Sequence, residues 1–141
     1  MLIKFLKTHP DAILPKRNHD TDTGYDVFVV EDAWIPAHGS TNVATGIEVA
    51  YIEHGYWFKV ECRSGLSFKH GIQSHPGIID EMYTGSLSIL LRNYSNIGYQ
   101  VKKGDKVAQI VVYKREDAVI EWATEKHQTT RGDKGLGSSG R

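Results

Sequence analysis

Apolar residues in this chain recur with a period of two almost throughout, and Gly, Pro, Asn or Asp interrupts them roughly every ten residues. Period two sends alternate side chains to opposite faces of a strand, whereas a helix requires a period of about 3.6. The expected strands begin with Leu2 to Leu6 and, after a polar loop from His9 to Thr23, Tyr25 to Val30. A His38-Gly39-Ser40 turn then separates Trp34-Ile35 from Asn42-Val43-Ala44. Ile47, Val49 and Tyr51 alternate up to His54-Gly55, and Tyr56 to Cys62 returns. Leu87, Ile89 and Leu91 mark a further strand, Lys103-Gly104-Asp105 turns the chain into Lys106 to Tyr113, and Ala118 to Trp122 is expected to close the core. Only Ser64 to His70 reads as a helical turn. Many short strands with glycine turns define an all-β fold of the sandwich or jelly-roll kind.

The chain of 141 residues is long enough to bury one core without disulfides or a structural metal. The expected division is a β domain over residues 1–122 and a flexible, glycine-rich C-terminal arm over 123–141, where apolar residues nearly vanish. Lysine plus arginine equal aspartate plus glutamate at 17 each, so bulk charge gives no attraction to nucleic acid or membrane. The single cysteine, Cys62, is expected to share the apolar face of its strand with Phe58 and Val60. One cysteine makes no internal disulfide, and the first residues carry no targeting or membrane-spanning pattern, so the expectation is an intracellular, cytoplasmic protein. The seven histidines lack zinc-ligand spacing.

Three stretches carry chemistry. Gly77 to Gly85 sets Ile78 and Ile79 before Asp80, with Tyr83 three residues on; a short strand there delivers a carboxylate to a fixed place, as a general base requires. Read alone, the same window is also an ordinary turn with a self-bonded Asp and a packed Tyr. Arg63-Ser64-Gly65-Leu66-Ser67 follows a strand and offers a guanidinium, a hydroxyl and backbone amides to an anion, although it also reads as a solvated turn. The terminal run from Arg131 to Arg141 has glycines, two serines and two arginines, the donors that a polyphosphate orders.

Five segments in one order, Thr23 to Val27, Arg63 to Ser67, Gly77 to Gly85, Gly104 to Gln109 and Arg131 to Gly140, resemble the signature of the trimeric dUTP nucleotidohydrolases, the dUTPases. The resemblance implies a jelly-roll homotrimer with active sites at subunit boundaries, each closed by a C-terminal arm. It implies hydrolysis of dUTP to dUMP and pyrophosphate by in-line attack of water on the α-phosphorus, which withholds dUTP from DNA and supplies dUMP for thymidylate synthesis. By the same resemblance Asp80 is the general base, Tyr83 packs under the deoxyribose, and Ser64 and Gln109 act on the phosphates with Arg63, Gly65 and Ser67 in support.

Uracil is expected on the main chain of a hairpin from Gly71 to Ile79, including Gly77 and Ile79, with Ser74 where many relatives place an asparagine. Asp26 is matched to the residue that organises phosphates and the waters of Mg²⁺, an ion carried by the triphosphate without a direct protein ligand. Arg131, Gly137, Ser138 and Ser139 match the γ-phosphate clamp, and Leu136 stands where the family stacks a phenylalanine on the base. Two other functions fit parts of the pattern: a dCTP deaminase of the same fold, and a non-catalytic nucleotide sensor.

Overall fold

The computed structural model describes residues 1–75 and 77–135. Within them lie eleven strands and one helix. The principal sheet holds β2 (Tyr25–Phe28), β11 (Lys106–Lys114), β6 (Tyr56–Glu61) and β8 (Ile78–Ile79), in that order and antiparallel. A second sheet orders β4 (Ser40–Val43), β9 (Ile89–Asn93) and β7 (Ile72–His75). Two ribbons complete the fold: β1 (Ile3–Lys7) with β5 (Ile47–Ile52), and β3 (Ala33–Ile35) with β10 (Tyr99–Val101). The helix α1 (Ser64–His70) ends where Gly71 turns left-handed, its amide bonding back to the last turn.

Inward residues from all four sheets meet in one apolar core, with Val27, Ile35, Val43, Val49, Phe58, Ile72, Ile89, Leu91 and Val107 fully buried. The jelly-roll reading of the alternation therefore stands, and Leu87, Ile89 and Leu91 face inward as the pattern requires. The alternation fails after Val49. Ile3 pairs with Ile52 and Lys4 with Tyr51, but Phe5 pairs with Val49, so Ala50 is an extra residue in a β-bulge. The bulge reverses the faces beyond it: Tyr51 turns out beneath the Lys4 ammonium and Ile52 enters the core.

Ala118 to Trp122 forms no strand. Val119, Ile120 and Trp122 are 90%, 93% and 100% exposed, and the last strand of the core is β11, which ends at Lys114. An alternating apolar pattern specifies a strand-like surface without supplying a partner for it, and among the described residues none lies against this one.

Candidate active site

Three strand ends meet at a polar groove. Antiparallel pairing puts Gln109 of β11 opposite Asp26 on one side and Glu61 on the other, so the residues that follow β6 rise beside both. Those residues are Arg63 and the start of α1. The groove, about 330 Å³, is lined by Gly24, Asp26, Arg63, Ser64, Lys106 and Gln109 among others. Asp26, only 8% exposed, gives one carboxylate oxygen to Arg63 Nε at 3.0 Å and the other to Lys106 Nζ at 2.8 Å. A carboxylate at that depth is tolerable because both oxygens are paired. Two cations around one anion leave this trio with a positive charge facing the groove.

Gln109 is held equally firmly. Its Nε2 donates to the Cys62 carbonyl at 2.9 Å, and its Oε1 lies 2.0 Å from where a Cβ on residue 24 would stand, so a larger residue there would displace the amide. Ser64 and Gly65 are exposed at the lip, and the first turn of α1 leaves its leading amides without partners inside the helix. Ser67 is set apart from the groove: its hydroxyl donates to the Ile72 carbonyl at 3.1 Å and ties α1 to β7. Lys106 lies within the fourth segment, but its residue type alone gave it no role. Its place directly after a Gly-Asp turn, at the start of a core strand, is the only local sign of its importance.

Asp80 occupies a different surface. Ile79 pairs with Phe58 and Ile78 with Lys59, and the Gly77 carbonyl accepts Val60 N–H at 2.6 Å, so β8 does deliver Asp80 to a fixed strand end. Gly77 has φ of +104°, a conformation that other residues rarely adopt. Asp80 is exposed; its carbonyl accepts the Tyr83 amide at 3.0 Å, closing a turn. The Tyr83 hydroxyl donates to the Ser86 carbonyl at 2.9 Å, bending the ring back over Gly85, where a Cβ would lie 2.7 Å from that hydroxyl. The residue remains 41% exposed. Asp80 lines a cavity of about 390 Å³ with Trp57, Ile78, Glu81, Met82 and Arg115, and this cavity shares no residue with the groove.

The expected hairpin from Gly71 to Ile79 does not form. Strand β7 pairs with β9 and β8 pairs with β6, so the two halves of the stretch belong to different sheets. Ser74 is turned inward: its hydroxyl donates to the Val107 carbonyl at 2.6 Å and is committed to the fold. Cys62 is also more than an apolar filler, because its sulfur accepts the Ser74 amide at 3.2 Å and faces the Ser74 carbonyl at 3.8 Å. Among the described residues Ser74 has no ladder partner on the Cys62 side, and the sulfur takes that place.

Residues 115–135 are exposed, and among the described residues Arg131 bonds within its own turn, with Nε donating to the Lys134 carbonyl at 3.1 Å. Leu136, Gly137, Ser138 and Ser139 lie outside the described residues. Among the described residues no three His, Cys, Asp or Glu side chains are gathered as a metal site. Both oxygens of Asp26 being paired, the groove fits a cation that arrives on a phosphate chain better than one gripped by protein carboxylates.

A family model, that of dUTPase, matches residues 10–140. The chain belongs to the dUTPase family. It is 37% identical over 142 residues to the deoxyuridine 5′-triphosphate nucleotidohydrolase of Helicobacter pylori, covering 99% of this chain and 97% of that protein. The corresponding Debaryomyces hansenii protein is 40% identical over 139 residues, covering 97% and 86%. Among solved structures, the Staphylococcus bacteriophage 80alpha dUTPase with dUPNHPP superposes with a TM-score of 0.88 at 27% identity, covering 99% of both chains. A mutant dUTPase from phage phi11 of S. aureus, TM-score 0.80 and 25% identity over 91% of this chain and all of that one, coordinates a structural Mg(II) ion.

The dUTPase signature is thus divided in space. Its first, second and fourth segments meet at the groove, the third stands on the Asp80 surface, and the fifth begins at Arg131 and continues beyond the described residues.

Proposed function

We propose that this dUTPase-family chain is a dUTP diphosphatase, hydrolysing dUTP to dUMP and pyrophosphate. The observation that carries the reading is the groove in which Arg63, Ser64, Lys106 and Gln109 converge around the paired Asp26. Such a surface suits a triphosphate: cations neutralise it, and a hydroxyl and an amide orient it. Asp80 takes a proton from water as the water oxygen bonds to the α-phosphorus. The bond from that phosphorus to the bridging oxygen breaks, and pyrophosphate leaves. General-base assistance of this kind is worth about 10²–10⁴ in rate. Ser64 donates to the oxygens around the breaking linkage, where negative charge grows. Mg²⁺, held by the triphosphate and its own waters, supplies further charge neutralisation. Tyr83 covers the deoxyribose with its exposed ring, while main-chain groups near Gly77 and Ile79 select uracil.

Because Asp80 and the groove lie on surfaces with no residue in common, the complete site is assembled between copies of the chain. A homotrimer in which one subunit's groove faces the next subunit's Asp80 gives three equivalent sites. The exposed Val119, Ile120 and Trp122 support this reading, since apolar side chains on a departing segment call for a covering surface. Residues 123–141 act as the closing arm, with Arg131, Gly137, Ser138 and Ser139 on the γ-phosphate and Leu136 over the base. The lone cysteine and the nucleotide substrate support a cytoplasmic setting for the reaction.

The test is to supply dUTP, dCTP, dTTP and UTP with Mg²⁺ and measure pyrophosphate, ammonia and nucleoside monophosphate, with Asp80→Asn alongside. Pyrophosphate from dUTP alone, lost in the variant, is the expected result. Ammonia from dCTP, or no product from any of the four, refutes the reading.

A further inference from the structure

Glu81 follows the proposed base directly, yet it faces the other way. Asp80 is exposed, while the Glu81 side chain is only 11% exposed and turned against two other parts of the chain. One carboxylate oxygen accepts from His54 Nδ1, in the turn between β5 and β6. The other accepts the Gly55 amide at 3.0 Å and the Arg115 guanidinium. Arg115 is the first residue beyond β11. Its amide donates to the Gly55 carbonyl at 2.8 Å and its Nε to Asp117 at 3.1 Å. The Gly55 amide, then His54 and Arg115, hold the Glu81 carboxyl below its ordinary range, so the group is charged where it is needed.

Three segments therefore meet on one carboxylate: the loop bearing Asp80, the β5–β6 turn, and the root of the C-terminal extension. Asp80, Glu81 and Arg115 line the same cavity. We propose that Glu81 is a positioning residue, which fixes the orientation of Asp80 by anchoring its loop to Arg115 and so links the departure of the arm to the placement of the base. The proposal rests on the reading of Asp80 as the base. Adjacent residues in a chain share a peptide plane, so clamping the Glu81 side chain inward restricts the rotation that would swing Asp80 away from its water. Among the described residues, the Asp80–Tyr83 turn without that clamp is held by the Tyr83 amide and by the Tyr83 hydroxyl on Ser86.

The experiment is steady-state dUTP hydrolysis with Mg²⁺ by wild type, Glu81→Gln, Arg115→Gln, the double variant, Arg115→Lys and Asp80→Asn, with thermal unfolding measured on each. Glu81→Gln keeps the shape and removes the charge. The expected result is a fall in kcat of about ten- to a hundredfold, the scale of a displaced catalytic group, with KM within about twofold. Arg115→Gln should fall similarly, the double variant no further than the slower single one, and Arg115→Lys should recover much of the loss. A purely structural role would instead lower the unfolding midpoint without splitting kcat from KM. Unchanged kcat in Glu81→Gln with Asp80→Asn inactive overturns the positioning proposal alone, and so does a loss in Glu81→Gln that merely follows unfolding. Full turnover by Asp80→Asn removes the base assignment and this proposal with it.

Discussion

Gly24→Ala tests the groove through its tightest contact. A Cβ at residue 24 would stand 2.0 Å from Gln109 Oε1, 2.8 Å from its Cδ and 3.1 Å from its Cβ. The first two atoms are the far end of a flexible side chain, so the least costly response is for the Gln109 amide to swing out of the groove. Swinging out breaks its 2.9 Å bond to the Cys62 carbonyl, a loss of about 1 kcal/mol. The residual crowding at the Gln109 Cβ, whose place is set by the backbone, forces a small backbone shift that costs about 1 kcal/mol more. A destabilisation of about 2 kcal/mol lowers the midpoint of a chain this size by about 6 °C. The activity loss should be larger in proportion, because the amide leaves the proposed phosphate site: kcat on dUTP is expected to fall by at least about tenfold. The assay is a double-mutant cycle with Gln109→Ala, followed by thermal unfolding and pyrophosphate release. Once Gln109 is truncated, the added methyl meets only the Cβ at 3.1 Å, so the double variant should be as slow as Gln109→Ala and less stable than it by no more than that residual cost of about 1 kcal/mol. Additive losses, or a Gly24→Ala protein with unchanged midpoint and kcat, would refute the reasoning.

Ser74→Ala should cost about 1–3 kcal/mol, because it strands the buried Val107 carbonyl, while the preference for dUTP over dCTP stays as it was; a changed preference would show that the hydroxyl does reach the base. The Glu81 carboxyl lies below its ordinary value of 4.5 in the folded chain, so its contribution is complete above that value and is lost as pH falls through the lower folded one. Glu81→Gln should therefore soften the acid decline of the unfolding midpoint, leaving the part due to Asp11, held low by the Lys103 ammonium, and Asp32, held low by the Lys103 amide and then Lys102. An acid limb as steep as the wild type's would contradict that assignment. On the proposed placement of residue 136 over the base, Leu136→Phe adds a ring to stack on uracil, worth about 1 kcal/mol or about fivefold in KM; unchanged or higher KM would count against it.

The strands were legible wherever one face is buried without interruption, as in β6 and β9. Tyr51 and Ile52 exchanged places because a bulge at Ala50 depends on how β1 pairs with β5, which no local pattern records. Strand β7 was expected only as an arm of a hairpin with the Ile78-Ile79 stretch, and its pairing with β9 was missed for a related reason. Its inward residue after Ile72 is Ser74, polar in sequence and made compatible with burial only by the Val107 carbonyl and the Cys62 sulfur. At the site, the segments bearing Asp80, Ser64 and Gln109 were recognisable from their residues and order. What those side chains touch was not. The two cations on Asp26 come from positions 63 and 106, and the partners of Glu81 from 54 and 115, so each cluster exists only through the pairing of distant strands.

The separation of the groove from the Asp80 surface changes what counts as the heritable unit of activity. In the proposed ring, catalysis belongs to boundaries and not to chains. A subunit defective only in Ser64 and one defective only in Asp80 are each silent alone, yet when mixed they restore an intact boundary wherever the sound groove of one meets the sound Asp80 of the other, about a quarter of the boundaries in a random equal mixture. A subunit defective in both spoils two of its ring's boundaries by itself. In a cell carrying two alleles, complementation and dominance at this locus would thus depend on which surface each allele damages.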